Sequence, residues 1–133
     1  MIVDKSFDMF IETEVPENEL IISRTDLHGI ITYANDTFAK ISGYEPSELI
    51  GRPHSIVRHP DMPKSVFKEL WESLKSKGSW SGYVKNLRKD NGYYWVHAHI
   101  SGVYKNGKLV EYKSVREPVK RDIKIKMQKM YDE

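Results

Sequence analysis

The chain has 133 residues, of which 39% are hydrophobic and 30% charged, and its formal net charge is +2. This length builds one ordinary domain around one core. The absence of cysteine excludes disulfides, iron–sulfur clusters, zinc–thiolate sites and cysteine-linked haem or flavin. Because the sequence shows neither a bilayer-length apolar run nor a signal-peptide pattern, we expect a cytoplasmic protein without direct membrane insertion.

The first half of the chain combines helix and strand patterns. In chain order, the pattern predicts an amphipathic N-terminal cap helix over residues 4–14 and a hairpin of strands 20–24 and 30–33. Short helices follow over residues 37–41 and 46–50, because helix-start residues precede each one and a glycine stands just beyond its end.

The second half begins with a longer amphipathic helix over residues 63–75, whose proline suits the first helical turn. Strands are predicted over 80–88, 93–104 and 109–116, with glycine-containing connectors of hairpin chemistry between them. A C-terminal helix follows in residues 118–133.

This order of elements indicates an α+β fold. We expect a five-stranded antiparallel sheet with the short helices on one face, and a ligand pocket between the two layers. The predicted division has three parts: an N-terminal cap helix in residues 1–17, a main domain in 18–117, and a linker or signalling helix in 118–133.

Several short segments of the chain together resemble a known protein family. Residues 30–38 (IITYANDTF), 42–44 (SGY) and 48–51 (ELIG) carry the general resemblance to the PAS domain family, and it covers about residues 18–117. Residues 53–63 (PHSIVRHPDMP) and 80–89 (WSGYVKNLRK) are more specific, since they resemble the FAD-binding PAS domains of bacterial aerotaxis receptors. The resemblance implies a PAS fold that binds FAD.

The first specific segment contains three cofactor-binding candidates. The resemblance implies that Arg58, His59 and Asp61 take part in FAD binding. The planar guanidinium of Arg58 suits a phosphate or the carbonyl edge of a flavin. The start of the helix after Pro63 is a favourable place for an anion, although we expect Asp61 to cap that helix itself.

The second specific segment is a predicted strand, in which alternate side chains point to opposite faces. Trp80, Gly82 and Asn86 therefore lie on the same face. An indole can wall a flavin ring, a glycine permits close approach, and a carboxamide can pair with the polar edge of the ring. Without the resemblance, a core tryptophan and an edge asparagine explain this pattern equally well. Asn35 is predicted as a helix N-cap, and the resemblance adds contact with the cofactor.

Haem b is the alternative cofactor. Along strand 93–104, alternate side chains point to opposite faces of the sheet. One face carries mostly small, apolar residues that suit the floor of the pocket, and the other carries His97 and His99. These two residues are therefore poor haem ligands, while His54 or His59 remain available for that role.

The resemblance implies a redox or oxygen sensor for energy taxis, which passes the redox state of FAD to a signalling partner. The alternatives are a haem-b gas sensor and a small flavin oxidoreductase, or a hydrolase using His59 and Asp61. The sequence has no glycine-rich phosphate loop, nucleophile elbow or HExxH motif, so we expect no enzyme.

The expected partner is a signalling receptor of the chemotaxis type, because this sequence shows no HAMP, kinase, methyl-accepting or helix-turn-helix pattern. The chain is then either a stand-alone sensor that acts on a separate receptor or a fragment of such a receptor. An association with a membrane receptor is compatible with a cytoplasmic domain.

Tyr93 and Trp95 face outward and need cover from the N-terminal helix or from a second protomer. We also expect a homodimer, since the apolar stripe of the C-terminal helix fits a dimer or linker helix. The C-terminal helix carries an apolar stripe and acidic residues, which argues against nucleic-acid binding.

Overall fold

The computed structural model describes residues 11–133. It confirms the predicted α+β architecture, with one antiparallel sheet in the order β2-β1-β5-β4-β3. The strands are β1 (Ile21–Thr25), β2 (Ile31–Ala34), β3 (Ser79–Leu87), β4 (Tyr93–Lys105) and β5 (Lys108–Glu117). The helices are α1 (Asp36–Ser42), α2 (Pro46–Leu49), α3 (Lys64–Lys77) and α4 (Arg121–Tyr131), with a 3-10 turn at His54–Val57.

Local chemistry sets the ends of the helices. Asn35 caps α1, because its side chain accepts a hydrogen bond from the backbone N–H of Phe38 at 3.0 Å. Gly43 and Gly78 end α1 and α3 with φ of 81° and 77°, a left-handed conformation that glycine adopts without a steric cost.

The core lies between one face of the sheet and the helices that precede β3. Phe38 of α1, Leu49 of α2 and Val57 of the 3-10 turn are almost completely buried there, as are Ile21 of β1 and Val96 of β4. The sheet face and these helices enclose the space in which a ligand cavity was predicted.

Around Trp95 the outer face of the sheet is covered by α4. Trp95 is only 4% exposed because Tyr131 stacks on it, with ring centroids 6.3 Å apart. The Tyr131 hydroxyl also donates a hydrogen bond to the backbone oxygen of Tyr83 at 2.6 Å. For Trp95, the cover expected from an N-terminal helix or a second protomer is thus supplied by the chain's own C-terminal helix.

The segment before β1 differs from the predicted helix over residues 4–14. Residues 4–10 lie outside the described part of the chain, and residues 11–14 are extended instead of helical. The backbone of Tyr93 donates to Ile11 and accepts from Thr13, at 3.0 and 2.8 Å. The reason is that β5 ends opposite His97, which leaves the start of β4 without a neighbour on that side.

Ion pairs connect the extended segment before β1 to α4. Lys124 of α4 forms ion pairs with Glu12 and Glu14 at 2.5 and 2.8 Å, which attaches the extended segment to α4.

Within residues 11–133, no helix combines the length and the apolar character that a membrane span requires. The three-part division of the chain stays a prediction.

Candidate functional site

A cavity of about 340 Å³ lies between the sheet and the helices. Its volume is near the lower end of the range of small-molecule sites, about 300–1,000 Å³. Apolar side chains form most of its wall, namely Val57, Phe67, Leu70, Trp71, Leu74, Val84, Val96, Ala98 and Ile100. A flat aromatic ligand therefore meets a largely apolar surface with a few polar groups.

Trp80 and Asn86, both predicted from strand alternation, line this cavity from β3. Both are buried, and the indole Nε1 of Trp80 has no hydrogen-bond partner among residues 11–133. Gly82 lies between them in sequence, and a Cβ there would overlap the six-membered ring of Trp80. The glycine thus gives room to the indole, and the close approach predicted at this position is made by the tryptophan.

Arg58 also lines the cavity, at the end of the 3-10 turn. Its backbone pairs with Asn86, and its guanidinium lies 3.9 Å from the ring centroid of Phe67. Within the described residues the guanidinium has no ion pair and donates no hydrogen bond, and the residue is exposed. Arg58 can therefore direct its donors to a polar ligand at the rim of the cavity.

Arg116 is a cavity residue that the sequence analysis missed. It is 2% exposed, donates to His54 Nε2 at 3.0 Å and to Ser23 Oγ at 2.6 Å, and lies over the ring of Phe38. No carboxylate of residues 11–133 pairs with it, and its Nε has no partner. Burial lowers the pKa of Arg116 to about 10, so it remains a cation at pH 7.

The signal for Arg116 was present in the strand alternation of β5. Tyr112, Ser114 and Arg116 recur at every second position and all line the cavity. An arginine at an inward position of such a strand indicates a buried cation in the pocket.

His54, a haem-ligand candidate, lines the cavity beside Arg116. Burial, together with the nearby Arg116 charge, lowers the pKa of His54 to about 3, so the ring is neutral at pH 7. Because a guanidinium can only donate, His54 Nε2 must accept the hydrogen bond from Arg116. The lone pair that an iron would need is thus engaged.

Asn35 does not line the cavity. Its carboxamide accepts from the backbone N–H groups of Ile22 and Phe38, and donates to the backbone oxygen of Leu20 at 2.9 Å. These bonds join the start of α1 to β1. The predicted capping role of Asn35 is confirmed, while its contact with FAD stays a prediction.

His59 and Asp61 also lie away from the cavity lining. His59 is 2% exposed, and its Nδ1 accepts from the backbone N–H of Asp61 at 3.1 Å. Burial and the charge of Lys85 lower the pKa of His59, against a smaller opposing effect of Asp61. The prediction that Asp61 caps the helix after Pro63 was wrong, because its carboxylate lies 3.6 Å from the ammonium of Lys85 and α3 has no side-chain cap.

The loop 58–62 therefore acts as a support for the rim. His59 is fixed by its bond to the backbone of Asp61 and by edge contact with Tyr93, and it directly follows Arg58. The part of His59 and Asp61 in FAD binding stays a prediction. His97 and His99 point away from the cavity, as predicted.

The sequence profile described as the PAS fold matches residues 31–116. The chain belongs to the PAS family. The expected resemblance to aerotaxis-receptor PAS domains is likewise confirmed, since the domain is 47% identical over 104 residues to the aerotaxis receptor of Escherichia coli K12, which covers 78% of this chain and 21% of that receptor.

A second curated relative of this PAS domain is the nitrogen fixation regulatory protein of Klebsiella pneumoniae. It is 30% identical over 108 residues, which cover 80% of this chain and 22% of the relative. The domain thus spans about a fifth of the length of these relatives. Both are named for receptor or regulatory roles and match this chain in its PAS region.

The fold is shared with a solved light-oxygen-voltage domain studied with a flavin analogue. The TM-score is 0.72 at 23% identity, over 85% of each chain. At this identity the likeness establishes the fold alone. It confirms the five-stranded PAS architecture with helices on one face of the sheet.

Proposed function

We propose that this PAS domain holds FAD in its cavity without catalysis and passes the redox state of the cofactor to a signalling partner. The observation that carries the proposal is the composition of the cavity. The cavity is lined by Asn86, by the indole of Trp80 and by the buried guanidinium of Arg116. Within residues 11–133, the Nε1 of Trp80 has no hydrogen-bond partner and Arg116 has no carboxylate partner.

These residues fit a flavin ring. A buried cation is costly unless a negative group compensates it, so Arg116 favours an electron-rich edge such as the ring carbonyls. Trp80 supplies an apolar wall, and Asn86 supplies a carboxamide that can both donate and accept. Bound flavin would supply reversible electron transfer coupled to protonation at its ring.

The choice of FAD rests on the rim and on the resemblance of residues 53–63 and 80–89 to FAD-binding aerotaxis PAS domains. A cavity of about 340 Å³ takes a ring system, so the remainder of a dinucleotide must extend past the rim. Arg58 is exposed there, and no residue in 11–133 pairs with its guanidinium donors, which suits a pyrophosphate. We assign this role to Arg58, with His59 and Asp61 holding its loop.

Strand β3 supplies a connection to a partner surface. Asn86 faces the cavity, while Tyr83 and Lys85 face α4, where they meet Tyr131 and Gln128. A change in the hydrogen bonds of Asn86 therefore acts on the strand that holds α4. The receptor relative supports a chemotaxis-type receptor as the recipient, while homodimer formation and a cytoplasmic location stay predictions.

The proposal is tested first on the purified protein, by an absorption spectrum followed by acid release and chromatography of the cofactor. We expect a two-banded yellow spectrum and released FAD. Released FMN would correct the cofactor, a Soret band would replace flavin with haem, and a colourless protein that FAD fails to reconstitute would refute the proposal.

The site assignment is tested with Arg58→Ala and Trp80→Ala, which should each lower the flavin content per folded protein. Arg24→Ala is the matched control, because Arg24 is an exposed arginine paired with Glu111 outside the cavity. Equal flavin content in all three variants would contradict the assignment. Many turnovers of NAD(P)H per flavin would instead favour the oxidoreductase alternative.

A further inference from the structure

A cluster of two histidines and one glutamate lies on the outer face of the sheet, opposite the cavity. His97 and His99 project from the same side of β4, and Glu117 is the register partner of His97 on β5. None of the three lines the cavity. Their candidate ligand atoms all lie within 4.8 Å of one another.

The distances suit a small divalent cation. His99 Nε2 lies 2.5 Å, and His97 Nδ1 3.9 Å, from Glu117 Oε1. With metal–ligand bonds of about 2.1 Å, the ligand atoms of a tetrahedral Zn²⁺ site stand about 3.4 Å apart. Because the observed separations bracket this value, small side-chain rotations would complete the site.

Strand β3 orients both imidazoles. Ser81 Oγ lies 2.8 Å from His99 Nδ1, so a protonated Nδ1 can donate to Ser81 and leave Nε2 free for a metal. Such a bond to the second ring nitrogen is typical of metal-ligating histidines. Tyr83 stacks on the ring of His97, with centroids 4.4 Å apart and planes at 19°.

We propose that His97, His99 and Glu117 form a Zn²⁺ site on the outer face of the sheet. Two imidazoles and one carboxylate are ligands that zinc prefers, and three protein ligands leave a fourth position for water or for a donor from a partner. The three side chains are 30%, 40% and 48% exposed, so an ion can reach them from solvent. Without an ion, His99 Nε2 is paired with the Glu117 carboxylate, which requires a proton on Nε2, so metal binding displaces this proton.

The test is a titration of the full, tag-free chain with ZnCl₂ against a chromogenic chelator. We expect one equivalent to bind, with at least a 100-fold loss of affinity in His99→Ala and in Glu117→Gln. Ser81→Ala should lose about tenfold, as expected for the partner of a metal-ligating histidine. His28→Ala is the control, because His28 is an exposed histidine that lines the cavity and so lies on the opposite face of the sheet from the cluster, and it should leave the Zn²⁺ affinity unchanged.

Co²⁺ provides a second measurement, since its visible absorption reports coordination geometry. Intense bands in the wild type that vanish in the His97→Gln/His99→Gln double variant would support the site. The flavin content and the circular dichroism spectrum show whether each variant is folded. Absence of saturable Zn²⁺ binding, or equal binding by the folded double variant, would overturn the proposal.

Discussion

Arg116 Nη1 and His54 Nε2 meet at 3.0 Å inside the cavity, although the two residues are 62 positions apart in the chain. A neutral imidazole accepts from a cation that no carboxylate of residues 11–133 neutralises. This arrangement concentrates positive charge at one end of an apolar cavity. It is therefore the part of the site that a negatively polarised ligand edge stabilises most.

Arg116→Met should separate ligand binding from folding. Replacing a buried, unneutralised charge by an apolar side chain of similar length often costs little or even stabilises the protein. We expect the free energy of unfolding of the flavin-free protein to stay within about 2 kcal/mol of wild type, because the loss of hydrogen bonds to His54 and Ser23 offsets part of the gain. Flavin affinity should fall at least tenfold, as measured by fluorescence quenching.

Arg24→Met is the control for the loss of an arginine, since Arg24 is exposed and paired with Glu111. It should change neither the free energy of unfolding nor the flavin affinity appreciably. Wild-type flavin affinity in a folded Arg116→Met protein would show that the buried cation does not face the cofactor.

Gly82→Ala should displace the indole of Trp80. The added Cβ would overlap the indole ring, and overpacking of this kind costs about 1–3 kcal/mol. Urea unfolding should show this loss, and flavin content should fall because the displaced ring enters the cavity. In a Trp80→Phe background the overlapping atoms are absent, so the same substitution should cost less. A double-mutant cycle with no coupling between positions 80 and 82 would contradict this account.

His54 should make the stability depend on pH. Its pKa is about 3 in the folded protein and ordinarily 6.5, so the unfolded chain binds a proton that the folded chain does not. The contribution of His54 to the free energy of unfolding is therefore fully present above pH 6.5. Below that pH it decreases by roughly 1.4 kcal/mol per pH unit. Between pH 7.5 and 5, the wild type should lose about 2 kcal/mol more than His54→Gln.

This comparison uses urea unfolding of flavin-free protein at each pH. His59, whose pKa is also lowered, adds to the loss at low pH in the same direction and is present in both proteins. Parallel stability curves for the wild type and His54→Gln would show that the imidazole of His54 is not kept neutral by folding.

Tyr131→Ala should loosen α4 without emptying the cavity. It removes the stacking on Trp95 and the hydrogen bond to the Tyr83 backbone, which together should cost about 2–4 kcal/mol. Amide exchange in α4 should become faster, while flavin content stays at the wild-type level because α4 does not line the cavity. Ile125→Ala, at a residue 61% exposed on the same helix, should leave the exchange rates unchanged.

Local signals explain why the sequence predicted most of the fold. The two Asn-Gly-containing connectors of the last three strands have asparagines at positive φ, 71° at Asn91 and 53° at Asn106, as hairpin chemistry requires. The strand alternation placed Trp80 and Asn86 in the cavity and His97 outside it. Such patterns depend on neighbours in sequence, so they can be read directly from the chain.

The parts that were missed depend on contacts between distant residues. The extended conformation of residues 11–14 depends on backbone groups of Tyr93 that β5 leaves free, and no local pattern encodes that. The carboxylate of Asp61 turns to Lys85, which is 24 positions away, instead of to the adjacent helix. The pairing of Arg116 with His54 likewise required the sheet order to be known.

The two faces of β3 limit what kind of motion can carry a signal. Trp80 and Asn86 face the cavity, while Tyr83 and Lys85 lie against α4. A slip of the strand by one residue would exchange the side chains that face the cavity with those that face α4. Such a register shift would bury the wrong side chains, so it is too unfavourable to be the signalling movement. The strand can tilt or rotate by small angles with its pairing to β4 intact, so under the proposed function we expect the signal to be a graded movement of β3.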